Sequence, residues 1–288
     1  MYPPLPDGVT TGSFLSKDGT RIGYRQMGRG PGLVLLHGSL QSSRSFTSLG
    51  AALCDAFTIY IPDRRGRGLS GPLCDNHDMR TEVEDLVGLL DITGSQNVFA
   101  LSSGAIVALQ CALTSPAIQK LALYEPPLEI GGRPSPLDWV PRYEKELAAG
   151  NLAAAMVAII KGTGDRELVT HLPWFILVPM FKLAMRSQQH MSEDDGPSLQ
   201  ALIPTVHFDT RLVAEMAGRL ESFRAVRAET LLLGGSKSAV YLTATLDALS
   251  TVLPDCNRVE FAGLGHIAAD NGGQPSRVAD MLRRFFAD

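Results

Sequence analysis

Short apolar runs alternate with amphipathic helical patterns along the first half of the chain. Two strand-like segments come first and are joined by Asp18-Gly19, a typical hairpin turn. Continuous apolar runs follow, as expected for strands buried on both faces of a parallel sheet. Between them, apolar residues such as Val83, Leu86 and Leu90 recur at helical spacing. The predicted strands, in chain order, are 12–16, 20–27, 33–36, 57–61, 98–101, 120–124, 230–233 and 258–261.

This alternation predicts an α/β fold with a mostly parallel central sheet and helices on both faces. It stops in the middle of the chain, where residues 131–225 show only helical patterns. We therefore predict a core domain of residues 1–130 and 226–288, with a helical domain of residues 131–225 inserted between the sixth and seventh strands. The insertion would lie over the carboxyl ends of the strands, where open α/β sheets bind ligands. The predicted core helices are 43–54, 80–93, 106–113, 241–253 and 277–286.

Composition narrows the class of protein. The chain has 288 residues, is 45% hydrophobic and carries a net charge of −4, with no basic block that would suit a nucleic acid. No secretory signal pattern is visible, and the longest apolar stretch, Leu172 to Met185, is shorter than the ~20 residues that span a bilayer. The four cysteines lack metal-ligand spacing. We expect a cytoplasmic monomer or homodimer, without a metal site and without a membrane or nucleic-acid partner.

One segment combines a strand, a sharp turn and a helix around a serine. An apolar run ends at Ser102, with Ala100 two residues before it and Gly104 two residues after it. Such a turn holds a serine hydroxyl on strained backbone at a helix N-terminus, among N–H donors, which suits a nucleophile. The usual motif is Gly-x-Ser-x-Gly, in which Ala100 replaces the first glycine. A buried serine at an ordinary strand-to-helix turn would give the same five residues. The residues at the other strand ends are therefore needed to distinguish a nucleophile from a structural serine.

Two further strand ends carry candidate chemistry. The third predicted strand runs into His37-Gly38-Ser39, and it would neighbour the strand of Ser102. The backbone N–H groups of Ser39 and Ser103 could then converge on one oxygen and form an oxyanion hole. His266 follows the last strand on a glycine-flanked loop, so we predict that it is the general base. His37 adjoins the proposed oxyanion turn and is interpreted as structural.

The segment Asp63–Ser70 reads Asp-Arg-Arg-Gly-Arg-Gly-Leu-Ser and follows the fourth predicted strand. We interpret it as a tight loop held together by hydrogen bonds of the Asp and Arg side chains. Glycine and basic residues also occur together in phosphate-binding loops. However, the segment has no Lys-Ser or Lys-Thr ending and no helix directly after it, which argues against a phosphate site.

In combination these motifs resemble the α/β-hydrolase superfamily. The resemblance extends over residues 12–286 and rests on the order His-Gly, Asp-Arg-x-Gly-x-Gly-x-Ser, an elbow serine, a helical insertion and a late Gly-x-Gly-His. It implies the α/β-hydrolase fold with the insertion as a cap domain. It also implies a Ser–His–acid triad in that chain order, acyl-transfer chemistry and no cofactor.

The acid of the triad departs from the usual pattern. In most of the family it is an Asp on the loop after strand 7, but here Lys237 or a neighbouring serine takes that position, and a lysine only donates hydrogen bonds. Glu125 ends strand 6, which would lie between the elbow strand and strand 7, so its carboxylate would face the same crevice. Fungal lactonases acting on the macrolide zearalenone are similar in carrying the acid there. Asp209 in the cap and Asp270 after the histidine are the alternatives.

The cap segment is rich in apolar and aromatic residues. Some must pack against the core, but the density of the run 174–181 indicates that others line a pocket, with Trp174, Phe175 and Phe181 as candidates. We predict a serine hydrolase that cleaves an ester or lactone bond of a mainly apolar small molecule through an acyl-enzyme. No basic cluster for a phosphate or adenylate is visible, which disfavours an acyl-CoA. A ligand-binding receptor with little turnover, or non-hydrolytic C–C bond chemistry on the same scaffold, are the alternatives.

Overall fold

The computed structural model describes residues 2–74, 76–133, 135–164, 171–187 and 196–287. Its centre is an eight-stranded sheet with the strand order β1-β2-β4-β3-β5-β6-β7-β8. The β1–β2 and β2–β4 pairs are antiparallel and all other neighbours are parallel. The strands are β1 Thr10–Leu15, β2 Arg21–Gly28, β3 Gly32–Leu36, β4 Thr58–Pro62, β5 Asn97–Leu101, β6 Lys120–Tyr124, β7 Glu229–Gly235 and β8 Cys256–Phe261.

Helices follow most of the strands, as the alternating pattern predicted. The described α-helices are α1 Thr47–Leu53, α2 Met79–Thr93, α3 Ser103–Thr114, α4 Val140–Ala148, α5 Leu152–Thr163, α6 Trp174–Ser187, α7 Leu199–Leu202, α8 Val206–Glu215, α9 Val240–Val252 and α10 Pro275–Ala287. Short 3-10 helices cover Ser43–Phe46, Ile203–Thr205 and Leu220–Ala225. In its described part, the segment between β6 and β7 consists of helices joined by loops and turns and contains no strand. Within the described ranges, no helix is long and apolar enough to cross a membrane.

The apolar strands are buried on both faces, which confirms the prediction of a sheet covered on two sides. In β3, Val34 and Leu36 pack with α2 and α3, whereas Leu33 and Leu35 pack with α1 and α10. Successive side chains of a strand point to opposite faces, so one continuous apolar run fills two separate core layers.

The register of the parallel strands places the ends of four strands at one edge. Leu36 pairs with Ala100, Leu101 with Tyr124, and Tyr124 with Leu233. The residues that directly follow these positions therefore come together at the carboxyl edge of the sheet. They include His37, Ser102, Glu125 and Gly234.

Candidate active site

The Ser102 turn is held by close contact between two backbones. Ser102 has φ +55° and ψ −125°, and α3 begins at the next residue. Its backbone N–H donates to the Tyr124 carbonyl at 2.9 Å, which ties the turn to β6. A Cβ atom on Gly104 would lie 2.4 Å from the His37 carbonyl oxygen, so only glycine fits there. The second glycine of the motif is thus required by the approach of the His37 loop, while the first is replaced by Ala100, a fully buried core residue.

Backbone strain is concentrated at this edge of the sheet. Among the described residues, the non-glycine residues with positive φ are Leu40, Ser102 and Glu125, at +57°, +55° and +48°. They lie on the segments that follow β3, β5 and β6. Such conformations cost about 1–3 kcal/mol each and persist where the surrounding structure enforces them, which is typical of functional sites.

Ser39 and Ser103, the predicted oxyanion-hole residues, lie side by side. Their hydroxyl oxygens are 3.2 Å apart, and both residues line the same cavity as Ser102. The loop that carries Ser39 is fixed by Gln41, whose Oε1 accepts the Gly38 N–H at 2.8 Å. Sequence reasoning missed Gln41, because its second partner, Asp270, lies 229 positions away in the chain.

Glu125 and His266 are in direct contact. Glu125 Oε2 lies 2.7 Å from His266 Nδ1, and the Glu125 side chain is 1% exposed. An ionised carboxylate only accepts hydrogen bonds, so Nδ1 carries the proton and Nε2 is the unprotonated ring nitrogen, the one that can act as a base. His266 lines the cavity together with Ser102. The structure thus brings together the three side chains that the sequence proposed as a triad.

The end of β7 supplies the space and one hydrogen bond for Glu125. The Gly235 N–H donates to Glu125 Oε1 at 2.7 Å. A Cβ atom on Gly235 would lie 2.3 Å from the Leu264 carbonyl oxygen, so this position also requires glycine. The Tyr124 hydroxyl donates to the Gly265 carbonyl at 2.9 Å and holds the histidine loop from the same strand. Lys237, in the usual acid position, is exposed.

The two alternative acids line the same cavity, but their carboxylates bind other groups. Asp209 accepts from Arg64 at 2.7 Å, from Arg67 and from the Ser103 hydroxyl at 3.0 Å. Burial alone would raise the pKa of Asp209, but the charges of Arg67 and Arg64 lower it below its usual value. Asp270 accepts from Gln41 Nε2 at 2.8 Å, and burial raises its pKa. Asp209 is therefore engaged by two arginines and Ser103, and Asp270 by Gln41, whereas Glu125 is the carboxylate that contacts His266 Nδ1.

The Asp63–Ser70 loop is a structural loop rather than a phosphate site. Asp63 is fully buried and accepts from Ser43 and from the Leu69 N–H. The three arginines of the loop form ion pairs with carboxylates: Arg64 with Glu82 and Asp209, Arg65 with Asp18 and Asp85, and Arg67 with Asp209.

His37 is a neutral, structural histidine. It is fully buried, its Nδ1 lies 2.9 Å from the Gly38 carbonyl, and its Nε2 accepts the Arg64 N–H at 3.2 Å. Burial, followed by the charges of Arg67 and Arg64, lowers its pKa to about 3. The interpretation of His37 as a structural residue is consistent with this geometry.

Replacement of Asp209 by Ala is expected to lower the free energy of unfolding by about 3–5 kcal/mol, because it removes the carboxylate that pairs with the buried Arg67 and one of the two carboxylates that pair with the buried Arg64. The Asp209, Arg64 and Arg67 side chains are all 2–3% exposed. Urea denaturation measures the change. The matched control is Glu221→Ala, which breaks an exposed pair with Arg224 and should cost less than about 1 kcal/mol. Equal losses in the two variants would contradict a buried ion network.

A mostly apolar cavity of about 510 Å³ opens beside Ser102 and His266. Its walls come from the core and from the helical segment between β6 and β7. The aromatic side chain of Trp139, together with Met156 and Ile159, forms part of the apolar wall. Its polar lining residues include Ser39, Ser103 and Asp209, which are joined by hydrogen bonds.

Of the three predicted substrate-contacting residues, the structure brings only Phe181 to the cavity, next to Met180. Trp174 instead faces Arg142, whose guanidinium carbon lies 4.6 Å from the ring centroid. Phe175 is 76% exposed on the outer side of α6. The prediction for Trp174 and Phe175 is therefore corrected, because the packing of the helix, which the aromatic run alone does not specify, decides which face turns inward.

A sheet of this order, with a serine on a strained strand-to-helix turn and a histidine after the last strand, defines the α/β-hydrolase fold. The model of the alpha/beta hydrolase family matches residues 33–281. The chain belongs to this family, and the predicted fold class is confirmed.

Relatives of known activity carry out several reactions. The chain is 25% identical over 292 aligned positions to a cis-3-alkyl-4-alkyloxetan-2-one decarboxylase of Shewanella oneidensis, covering 96% of this chain and 88% of that protein. It is 28% identical over 172 positions to an N-formylmaleamate deformylase of Pseudomonas putida, covering 57% and 64%. The crystal structure of an alpha/beta hydrolase from Sphaerobacter thermophilus superposes with a TM-score of 0.77 at 27% identity, covering 96% and 100%.

Proposed function

We propose that this protein is a serine hydrolase that cleaves an ester or lactone bond of a mainly apolar small molecule. The observation that carries the proposal is the 2.7 Å contact between Glu125 Oε2 and His266 Nδ1, beside Ser102 and the apolar cavity. A histidine whose Nδ1–H is held by a buried carboxylate presents Nε2 as a base. Family membership supports hydrolase chemistry, and the arrangement of these three side chains supports acyl transfer.

In the proposed mechanism Ser102 Oγ attacks the substrate carbonyl carbon while His266 Nε2 takes the hydroxyl proton. The negative charge on the carbonyl oxygen is stabilised by the backbone N–H groups of Ser39 and Ser103. The His266 imidazolium, stabilised by Glu125, then protonates the departing alkoxide and leaves an acyl group on Ser102. Water, deprotonated by His266, attacks this ester and releases the acid, and Ser102 regains its proton.

The cavity supports an apolar substrate of moderate size. Its volume of about 510 Å³ is in the range of sites for drug-sized ligands. The arginines of the Asp63–Ser70 loop are engaged with carboxylates, so they do not offer a site for a phosphate of an acyl-CoA. The Shewanella relative is named for an oxetan-2-one, a cyclic ester, which supports a lactone as one substrate class.

A substrate panel tests the proposal. We expect kcat/KM for aryl esters and macrolactones to exceed that for acyl-CoA thioesters and for short charged esters by about tenfold or more. The reason is that apolar substrate groups are stabilised when they are buried in the apolar cavity. The control is Phe181→Ala, which shortens an apolar wall and should reduce kcat/KM for the aryl esters more than for short esters. A preference for short charged esters would contradict the apolar assignment.

Non-hydrolytic chemistry is a second candidate, because a 25% identical relative is named as a decarboxylase of a cyclic ester. Product analysis on a β-lactone distinguishes the two. A hydrolase gives the hydroxy acid, which retains all carbon atoms and gains water. A decarboxylase gives an alkene and carbon dioxide.

A further inference from the structure

The side chains of the two proposed oxyanion residues form a directed hydrogen-bond chain. Ser103 Oγ lies 3.0 Å from Asp209 Oδ1, 3.0 Å from Arg64 Nη1 and 3.2 Å from Ser39 Oγ. The proposed oxyanion hole uses only the backbone N–H groups of Ser39 and Ser103, so the mechanism above needs neither of their side-chain hydroxyls. Both residues nevertheless line the cavity beside Ser102.

The hydrogen positions in this chain are determined by its charged members. A hydroxyl has one donor and two acceptor sites, an ionised carboxylate only accepts, and a guanidinium only donates. The Ser103 hydroxyl therefore donates its hydrogen bond to Asp209, and Arg64 donates to one lone pair of Ser103 Oγ. Ser103 has only an acceptor site left for its contact with Ser39. The proton of that contact must come from Ser39.

Ser39 Oγ is consequently left with lone pairs and no free proton. Ser39 is partly exposed and forms part of the cavity wall, so its hydroxyl oxygen is an acceptor that a bound molecule can reach. A ligand that presents another acceptor there, such as an ether or carbonyl oxygen, would face lone pairs. A ligand that presents a hydroxyl would complete the chain.

The position of this acceptor specifies where the ligand hydroxyl must be. The backbone nitrogen and Oγ of one serine are separated by three bonds, so they lie within about 4 Å of each other in any rotamer. If the Ser39 N–H binds the carbonyl oxygen, the group that reaches Ser39 Oγ must be attached close to the carbonyl carbon. A hydroxyl on the adjacent carbon meets this requirement, because it can lie on the same side as the carbonyl oxygen.

We propose that the Ser39 hydroxyl, oriented by Ser103 and Asp209, accepts a hydrogen bond from a hydroxyl group on the carbon next to the scissile carbonyl, so that the enzyme favours α-hydroxy acyl groups. The proposal rests on the proposed function as a Ser102 hydrolase and adds a specificity determinant to it. The chain Asp209–Ser103–Ser39 links the helical segment between β6 and β7 to the core, so the selectivity depends on both.

The test compares two p-nitrophenyl esters of nearly equal size, those of mandelic acid and 2-phenylpropanoic acid, which differ by a hydroxyl in place of a methyl group. The ratio of their kcat/KM values is measured for the wild type and for Ser39→Ala, since intrinsic differences in ester reactivity cancel between the proteins. We expect the ratio to fall by about five- to tenfold in Ser39→Ala, the usual effect of losing one neutral hydrogen bond. Ser39→Thr, which keeps a hydroxyl, should retain the ratio within about twofold.

A second variant tests the orientation of the chain. Ser103→Ala removes the acceptor of the Ser39 proton, so the Ser39 hydroxyl becomes able to donate. The preference for mandelate over its O-methyl ether should then fall relative to the wild type. The proposal would be overturned if the ratio of mandelate to 2-phenylpropanoate were unchanged in Ser39→Ala and the ratio of mandelate to its O-methyl ether were unchanged in Ser103→Ala. So would a wild type that hydrolyses p-nitrophenyl phenylacetate but neither substituted ester. Absence of hydrolysis of phenylacetate itself would instead contradict the proposed function.

Discussion

Glu125→Gln is expected to reduce kcat by about 10³- to 10⁴-fold, the loss found when the acid of a Ser–His–acid triad becomes an amide. The surroundings of Glu125 determine how the amide would be oriented. The Gly235 N–H, now 2.7 Å from Oε1, requires an acceptor, so the amide oxygen would face Gly235 and the amide NH₂ would face His266 Nδ1. Nδ1 would then accept, the proton would reside on Nε2, and His266 could no longer act as the base for Ser102.

The measurement is kcat with an activated aryl ester, together with the free energy of unfolding. Glu129→Gln is the matched control, because it makes the same chemical change on an exposed side chain four residues away and should leave kcat within about twofold. A Glu125→Gln enzyme with near-native kcat would exclude Glu125 as the acid.

Ser102→Ala is expected to reduce kcat by about 10⁴-fold or more, since no acyl-enzyme can form, while the oxyanion hole and the binding site remain. The free energy of unfolding should change by less than about 1 kcal/mol, because the Ser102 side chain is partly exposed and alanine keeps the same strained backbone. Ser250→Ala, on an exposed helix position, is the control for both quantities. A Ser102→Ala variant with the kcat of the wild type would show that another group attacks the substrate.

The fold could be predicted because its determinants are local. A short apolar run such as β3 can be recognised as a buried strand from its own residues. The order of strands and helices along the chain then limits the topology to a few choices. The predicted helix at 43–54 is a 3-10 turn followed by α1, and β8 begins two residues before its predicted start, at Cys256. These are differences at element ends, where local patterns are weakest.

The proximity of Glu125 and His266 could be predicted for a similar reason. Strand ends of a parallel sheet meet at one edge, so the chain order of the motifs is enough to place Ser102, Glu125 and His266 together. The structure adds that Gly234, at the end of β7, leaves space for this carboxylate, because a Cβ atom there would lie 3.2 Å from Glu125 Oε1.

Side-chain contacts between segments that are far apart in the chain could not be predicted. Ser103 and Asp209 are 106 positions apart, and Gln41 and Asp270 are 229 apart. Their contacts depend on how the helices pack on the sheet, which a single sequence does not specify. The same uncertainty explains why Phe181 reaches the cavity while Trp174 and Phe175, on the same helix, do not.

We propose that Ser102 is a nucleophile activated by His266 and Glu125, and reaction of the protein with a fluorophosphonate, followed by mass spectrometry of the peptides, tests this assignment. We expect a single phosphonylated residue, Ser102, with labelling that is slower by orders of magnitude in Glu125→Gln and absent in Ser102→Ala. A wild-type protein that stays unlabelled, as a binding receptor would, or one labelled at another residue, would contradict the assignment of Ser102 as the nucleophile.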